Sequence, residues 1–195
     1  MKTLYLIRHG ESEHNILFRK FGKKIFYDKK YYNTKLTKLG HEQSLQLGKT
    51  WIDKNKIELV LISSLSRTLQ TATNIFKNTN IYMIALDCLK EYPQGLHTVN
   101  KRSNKNILEK QFSNIDFSYI TSNKDNTWNP NIEEDISNLN KRINEFKSFL
   151  STRKENNIAI VGHNSFIGQL KDNKIPLIEN GDVELKHCYP YQLNL

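Results

Sequence analysis

Two arginines and two histidines follow apolar segments of the chain, at the places where buried β-strands would end. Arg8 and His9 directly follow segment 4–7, Arg67 follows a second apolar segment, and His163 follows a third. Arginine presents a planar fork of N–H donors that fits phosphate or carboxylate, and histidine can act as base or nucleophile near neutral pH. If the three segments are neighbouring parallel strands, these side chains meet at one sheet edge, where ligands bind in open α/β folds. The residue types therefore predict a pocket for a dianion such as phosphate.

The chain around these residues alternates between apolar runs and helical spacing, which is typical of βαβ units around a mostly parallel sheet. Strands are expected at 3–8, 58–62, 81–86 and 158–161. Helices that begin after the first, second and fourth strands would direct their free N–H groups at a bound anion. Two late segments, 183–185 and 189–193, are interpreted as edge strands, since Pro190 suits an edge position.

Caps and apolar spacing predict the helices. Thr37 is a suitable N-cap for a helix that would carry Leu39, Leu47 and Trp51 inward. The remaining helices are expected at 65–76, near 103–112 and at 132–150. Because no repeat or linker is visible, a single domain over residues 1–195 is predicted.

Composition and charge indicate which classes of protein this chain can belong to. With 37% hydrophobic residues and no apolar run near the ~20 residues of a membrane span, a globular cytoplasmic protein without a signal peptide is expected. Cys88 and Cys188 match no zinc or redox spacing, so both are predicted to be thiols. The net charge of +9 invites a nucleic-acid hypothesis, but the cations are dispersed along the chain, which disfavours it.

Metal binding by His9 and His163 is the alternative to an anion pocket. Two arginines nearby would repel a divalent cation, and no carboxylate lies at ligand spacing beside either histidine. We therefore expect no metal and no cofactor.

Four separated segments carry a resemblance to a known family. They are Arg8-His9-Gly10-Glu11-Ser12, Leu36-Thr37-Lys38-Leu39-Gly40, the run SSLSRTLQTA at 63–72, and Gly162-His163-Asn164. In this order they resemble the signatures of the histidine phosphatase superfamily, which includes the cofactor-dependent phosphoglycerate mutases. The resemblance implies a three-layer α/β/α sandwich around a mostly parallel sheet.

The resemblance also assigns roles to the residues. It implies that His9 is the nucleophile that becomes phosphohistidine, while Arg8, Arg67 and His163 bind the phosphoryl oxygens and Asn15 adds a hydrogen bond. These roles agree with the chemistry, because phosphoryl transfer depends on positioning and charge neutralisation.

A general acid must protonate the leaving oxygen, and two carboxylates compete for this role. Glu91 follows the family pattern Glu-x-x-x-Gly, whereas Asp87 lies nearer the end of the third strand. Glu91 is favoured. Glu11 is expected to orient local groups rather than to carry protons.

Basic residues near the pocket have two interpretations. Lys101 and Arg102, in a segment expected at the pocket mouth, would hold a second anionic group of the substrate or belong to a solvated loop. The same two interpretations apply to the cations that follow the first motif, which are Arg19, Lys20, Lys23 and Lys24.

The chain is shorter than the glycolytic mutases and lacks the pattern of their Tyr- and Arg-rich insert, which favours hydrolysis over phosphoryl retention. A phosphatase acting on a phosphorylated small molecule is predicted, with a phosphoprotein substrate left open. The alternatives are a mutase and a non-catalytic protein that binds phosphate or nucleic acid.

Overall fold

The computed structural model describes residues 1–176 and 185–195. Its sheet has five strands in the order β3-β2-β4-β1-β5. Their bounds are β1 Thr3–Arg8, β2 Leu59–Ser63, β3 Tyr82–Leu86, β4 Asn157–Gly162 and β5 Pro190–Asn194. The first four run parallel, and β5 pairs antiparallel with β1. The predicted α/β class with a mostly parallel sheet is therefore confirmed.

Helices pack on both faces of this sheet, which gives the three layers. They are α1 Glu13–Phe21, α2 Lys38–Thr50, α3 Ser66–Ile75, α4 Lys105–Gln111, α5 Ile136–Ser151 and α6 Asn164–Asp172. One hydrophobic cluster joins the sheet to α2, α3 and α4, and a second joins the other face to α5 and α6. Because α1, α3 and α6 each follow the carboxyl end of a strand, their first turns gather at one sheet edge, as predicted.

Three details differ from the sequence-based expectations. The helix expected from residue 132 begins at Ile136, because Asp135 caps it by accepting a 2.8 Å hydrogen bond from Asn138 N–H. Leu39 is 48% exposed rather than inward-facing, although Thr37 does cap α2. Of the strand expected at 183–185, residues 183 and 184 lie outside the described residues and Leu185 belongs to no strand, while β5 confirms the other edge strand.

The long polar segment after β3 is held by buried charges. Lys90 Nζ donates to both carboxylate oxygens of Asp125 at 2.7 Å, with both side chains inaccessible to solvent. Arg102 Nε pairs with Asp87 at 2.9 Å. Among the described residues, no helix is long and apolar enough to cross a membrane.

Candidate active site

His9 lies at the carboxyl end of β1 with its ring almost fully buried. The backbone N–H of His9 donates to Gly162 O at 3.1 Å, which continues the pairing of β1 with β4. The ring Nδ1 lies 2.7 Å from Gly10 O. A carbonyl oxygen only accepts hydrogen bonds, so Nδ1 carries the proton and Nε2 keeps its lone pair.

The turn after His9 is held by close backbone packing against α2. A Cβ atom on Gly10 would lie 2.4 Å from Gly40 O, and one on Gly40 would lie 2.0 Å from Glu11 O, so the close approach of the two backbones requires glycine at both positions. Thr37 N–H donates to Glu11 O at 3.0 Å, and the Thr37 hydroxyl donates to the Glu11 carboxylate at 2.9 Å. Arg19 also pairs with this carboxylate, so Glu11 fastens the turn.

Arg67 lies in the first turn of α3, which follows β2, and His163 follows β4, the strand next to β1; both side chains are fully buried. The rings of His9 and His163 are 5.2 Å apart, and His163 Nε2 contacts Ser63 Oγ at 2.7 Å. Arg67 donates from Nη1 to Val99 O and from Nη2 to Asn100 Oδ1, both at 2.9 Å. Among the described residues, Arg67 Nε and His163 Nδ1 have no hydrogen-bond partner. Buried polar atoms are nearly always paired, so these two atoms suit an anionic ligand.

Positive charge is crowded in this buried cluster. Burial, together with the positive charge of Arg67 and Arg8, holds the pKa values of His9 and His163 well below the ordinary histidine value. Burial and the nearby Arg8 lower the pKa of Arg67 to about 9. A bound phosphate dianion would counter this crowding of positive charge.

Glu91 lies across the cavity from His9, against the first turn of α6. Its carboxylate accepts from Tyr92 N–H at 2.8 Å and from the N–H groups of Ser165 and Phe166 at 3.2 and 3.3 Å. Burial raises the pKa of Glu91, while these N–H donors and Arg67 oppose the shift. Asp87 is engaged elsewhere, by Ser64 and Arg102.

His9 and Glu91 line one cavity of about 260 Å³, whose polar lining also includes Arg8, His14, Asn15 and Asn100, while the fully buried Arg67 and His163 are not among its lining residues. Asn15 Oδ1 accepts from Ser12 N–H at 2.9 Å, and its amide nitrogen is within 3.4 Å of His14 Nε2. Of the predicted site residues, the structure thus groups His9, Arg8, Arg67, His163, Asn15 and Glu91.

Lys101 and Arg102 are not among the residues that line this cavity. Arg102 is 2% exposed, and its guanidinium donates to Asp87 and to the carbonyl oxygens of residues 103, 122, 123 and 124. Its five N–H groups are therefore all used within the protein. Lys101 Nζ lies 4.5 Å from the centre of the Trp128 ring, in a separate cavity of about 550 Å³.

Two further histidines surround His9 and were not predicted. The His14 ring is 5.8 Å from the His9 ring, and the His187 ring is 5.6 Å away. His187 Nδ1 donates to the His9 carbonyl oxygen at 2.5 Å. His14 could have been suspected from its place beside Asn15, but His187 belongs to no motif. Within the described ranges, no three His, Cys, Asp or Glu side chains are grouped as metal ligands.

Comparison with protein families gives one match over most of the chain. The model of the family described as the histidine phosphatase superfamily (branch 1) matches residues 4–173. Phosphoglycerate mutase-like protein 1 of Arabidopsis thaliana is 32% identical over 85% of this chain and 69% of its own length. Phosphoglycerate mutase-like protein 2 of the same plant is 31% identical over 86% of this chain and 65% of its own length. The chain thus spans about two thirds of these relatives.

Solved structures share the fold. The α-ribazole phosphatase from Shigella flexneri superposes with a TM-score of 0.59 at 24% identity, covering 86% of this chain and 77% of that one. The mycobacterial glucosyl-3-phosphoglycerate phosphatase gives a TM-score of 0.56 at 18% identity, covering 87% and 80%. At these identities the likeness shows the architecture alone.

Proposed function

The chain belongs to the histidine phosphatase superfamily, and from this premise we propose that it is a metal-independent phosphomonoester hydrolase that works through a phosphohistidine on His9. The observation that carries the proposal is the pair of buried, unpartnered nitrogens, Arg67 Nε and His163 Nδ1, found among the described residues beside a histidine whose Nε2 keeps its lone pair. Such a cluster combines an anion site with a nucleophile.

In the first step, His9 Nε2 attacks phosphorus, the P–N bond forms and the bond to the leaving oxygen breaks. Arg8, Arg67 and His163 hold the three phosphoryl oxygens and offset their charge. Because the pKa of His9 is depressed, the ring is neutral and nucleophilic at pH 7 without a separate base. The raised pKa of Glu91 favours its protonated form, which delivers the proton to the leaving oxygen.

In the second step, water attacks the phosphohistidine and the P–N bond breaks. The Glu91 carboxylate now accepts the proton of the attacking water and returns to its acid form. Phosphate leaves, and His9 is restored with its Nδ1 proton still on the Gly10 carbonyl oxygen. His9 and Glu91 therefore end the cycle in the protonation states in which they began it.

A mutase is the second candidate, since both plant relatives are named phosphoglycerate mutase-like. A mutase must bind a substrate with a second anionic group. Of the six cations for which that role was one of two interpretations, Lys23 lines the cavity, and Arg19, Lys20, Lys24, Lys101 and Arg102 do not. This placement favours hydrolysis of a phosphorylated small molecule.

Phosphoenzyme trapping tests the proposal. The protein is mixed with radiolabelled phosphate ester, quenched in milliseconds and digested; we expect an acid-labile, base-stable label on the peptide that contains His9. The His9→Ala variant should fold normally, take up no label and fail to hydrolyse p-nitrophenyl phosphate. Turnover by this variant, or a label on another peptide, would refute the assignment. Transfer of label from 2,3-bisphosphoglycerate to 3-phosphoglycerate, rather than to water, would favour the mutase.

A further inference from the structure

One wall of the active-site cavity is a stack of three rings. Phe26 lies between Phe18 and His97, with centroid distances of 5.2 and 5.1 Å and interplanar angles of 8° and 28°. All three rings line the same cavity as His9. They come from α1, from the turn that follows it and from the segment after Glu91, so three separate stretches of chain build this wall.

The stack does not fill the protein core. Phe18 and Phe26 belong to neither of the two hydrophobic clusters that flank the sheet, and both stay partly exposed. The remaining apolar lining comes from Tyr92, Pro93, Val99, Ile175 and Pro176. Apolar side chains that line a cavity and remain accessible are typical of a ligand site.

Three of the four cations that follow the first motif do not line this cavity. Arg19 pairs with Glu11, and the ammonium groups of Lys20 and Lys24 lie over the exposed ring of Phe21, at 5.2 and 5.7 Å from its centre. We call Arg8, His9, Arg67 and His163 the phosphate cluster. Among the described lining residues outside it, Lys23 is the one lysine or arginine, and it is exposed.

The spacing between the phosphate cluster and the stack sets the reach of a ligand. The His9 and His14 rings are 5.8 Å apart, and His14 and Phe26 are 6.3 Å apart. The centres of the His9 and Phe26 rings are therefore at most about 12 Å apart, a distance that a phosphate, a short spacer and a ring can span together. The cavity volume of about 260 Å³ lies slightly below the usual range for small-molecule sites, which indicates a compact ligand.

We propose that the preferred substrates are small phosphomonoesters with an aromatic or other flat apolar leaving group, which packs on the Phe18–Phe26–His97 wall. Esters that carry a second phosphate or a carboxylate are poor substrates, because the outer cavity, as far as the described residues form it, offers the exposed Lys23 and no buried arginine to pair with that charge. This inference rests on the proposed function, since it concerns the leaving group of the same site.

A matched pair of non-hydrolysable phosphonates tests it by binding alone. 2-Phenylethylphosphonate and 3-phosphonopropionate share the same two-carbon spacer and differ in their distal group, a phenyl ring or a carboxylate. By isothermal titration calorimetry we expect the phenyl compound to bind at least about tenfold more tightly, a typical discrimination for an apolar pocket. Equal affinity, or tighter binding of the carboxylate, would overturn the inference.

Variants of the Phe18–Phe26–His97 wall test whether these rings cause the tighter binding of the phenyl compound. Phe26→Ala should weaken binding of the phenyl compound by about tenfold and change that of the carboxylate compound less than about twofold. Phe21→Ala is the matched control, because Phe21 is an exposed phenylalanine of α1 outside the cavity, and it should leave both affinities unchanged. Thermal melting checks that each variant folds, and Phe18→Ala replaces Phe26→Ala if the latter does not. A preference that survives in the folded wall variant would contradict the role of the stack.

The outcomes separate this inference from the proposed hydrolase. Failure to trap a phosphohistidine while the phenyl compound still binds more tightly would refute the mechanism and keep the ligand class. Phosphohistidine formation with equal affinity for the two phosphonates would support the mechanism and refute the ligand class. If neither phosphonate binds, both the phosphate site and the inference are wrong.

Discussion

Gly40 is predicted to control the position of His9 without touching the substrate, and Gly40→Ala tests this. A Cβ atom at this position would lie 2.0 Å from the carbonyl oxygen of Glu11, whereas real Cβ contacts stay above 3.0 Å. The start of α2 and the turn after His9 must therefore separate by about 1 Å. The movement also stretches the two hydrogen bonds from Thr37 to Glu11.

Two effects of different size follow from this shift. Overpacking of this kind typically costs about 1–3 kcal/mol, and the better helix propensity of alanine returns at most about 1 kcal/mol. We therefore expect a lower Tm by a few degrees, at roughly 2–4 °C per kcal/mol for a chain of this size. The catalytic effect is larger, because a displacement of about 1 Å at the reacting group can reduce the rate by about 100-fold.

Gly48→Ala is the matched control, since it lies in the same helix at the end away from His9. A Cβ atom there would lie 2.6 Å from the carbonyl oxygen of Ile75, so this variant should also lose stability. It should keep kcat for p-nitrophenyl phosphate close to the wild-type value. Wild-type kcat in Gly40→Ala, or equal losses of kcat in both variants, would refute the idea that this contact positions the nucleophile.

Three further predictions concern the acid, the histidines and the buried ion pair. Glu91→Gln should reduce kcat/KM for alkyl phosphates by about 100-fold or more but for p-nitrophenyl phosphate by less than about tenfold, because a good leaving group needs no acid; equal losses would point to Asp87. The pKa values of the buried site histidines are lower in the folded protein than the usual 6.5, so their contribution to stability is present above about pH 6.5 and lost below it; thermal melts should show Tm falling as pH decreases from 7 to 5, and a constant Tm would contradict the neutral assignment. Asp125→Asn should reduce the free energy of unfolding in urea by about 3–5 kcal/mol, because it leaves Lys90 charged and unpaired; the double variant Lys90→Met with Asp125→Leu should be more stable than this single variant, and a less stable double variant would count against the explanation.

Local sequence signals were sufficient for the parts of the fold that depend on neighbours along the chain. Apolar runs predicted the four parallel strands to within one or two residues, and Thr37 predicted the start of α2. The start of α5 was predicted too early, because the apolar spacing extends to Ile132 while the cap at Asp135 decides where the helix begins. Competing local signals of this kind are resolved only when hydrogen bonds form.

The grouping of Arg8, His9, Arg67 and His163 followed from the sequence, since each lies just beyond the end of a strand and parallel strands bring those ends together. The directions of the other polar side chains did not follow. Arg102 turns inward because Asp87 and the carbonyl oxygens of residues 122–124 accept its N–H groups. These partners lie 15 or more residues from Arg102 in the sequence. The sequence alone therefore specified the chemistry at the strand ends. The tertiary structure decided which cations reach the cavity, and it placed aromatic rings there. The reason is that the direction of a side chain depends on partners that only folding brings into contact.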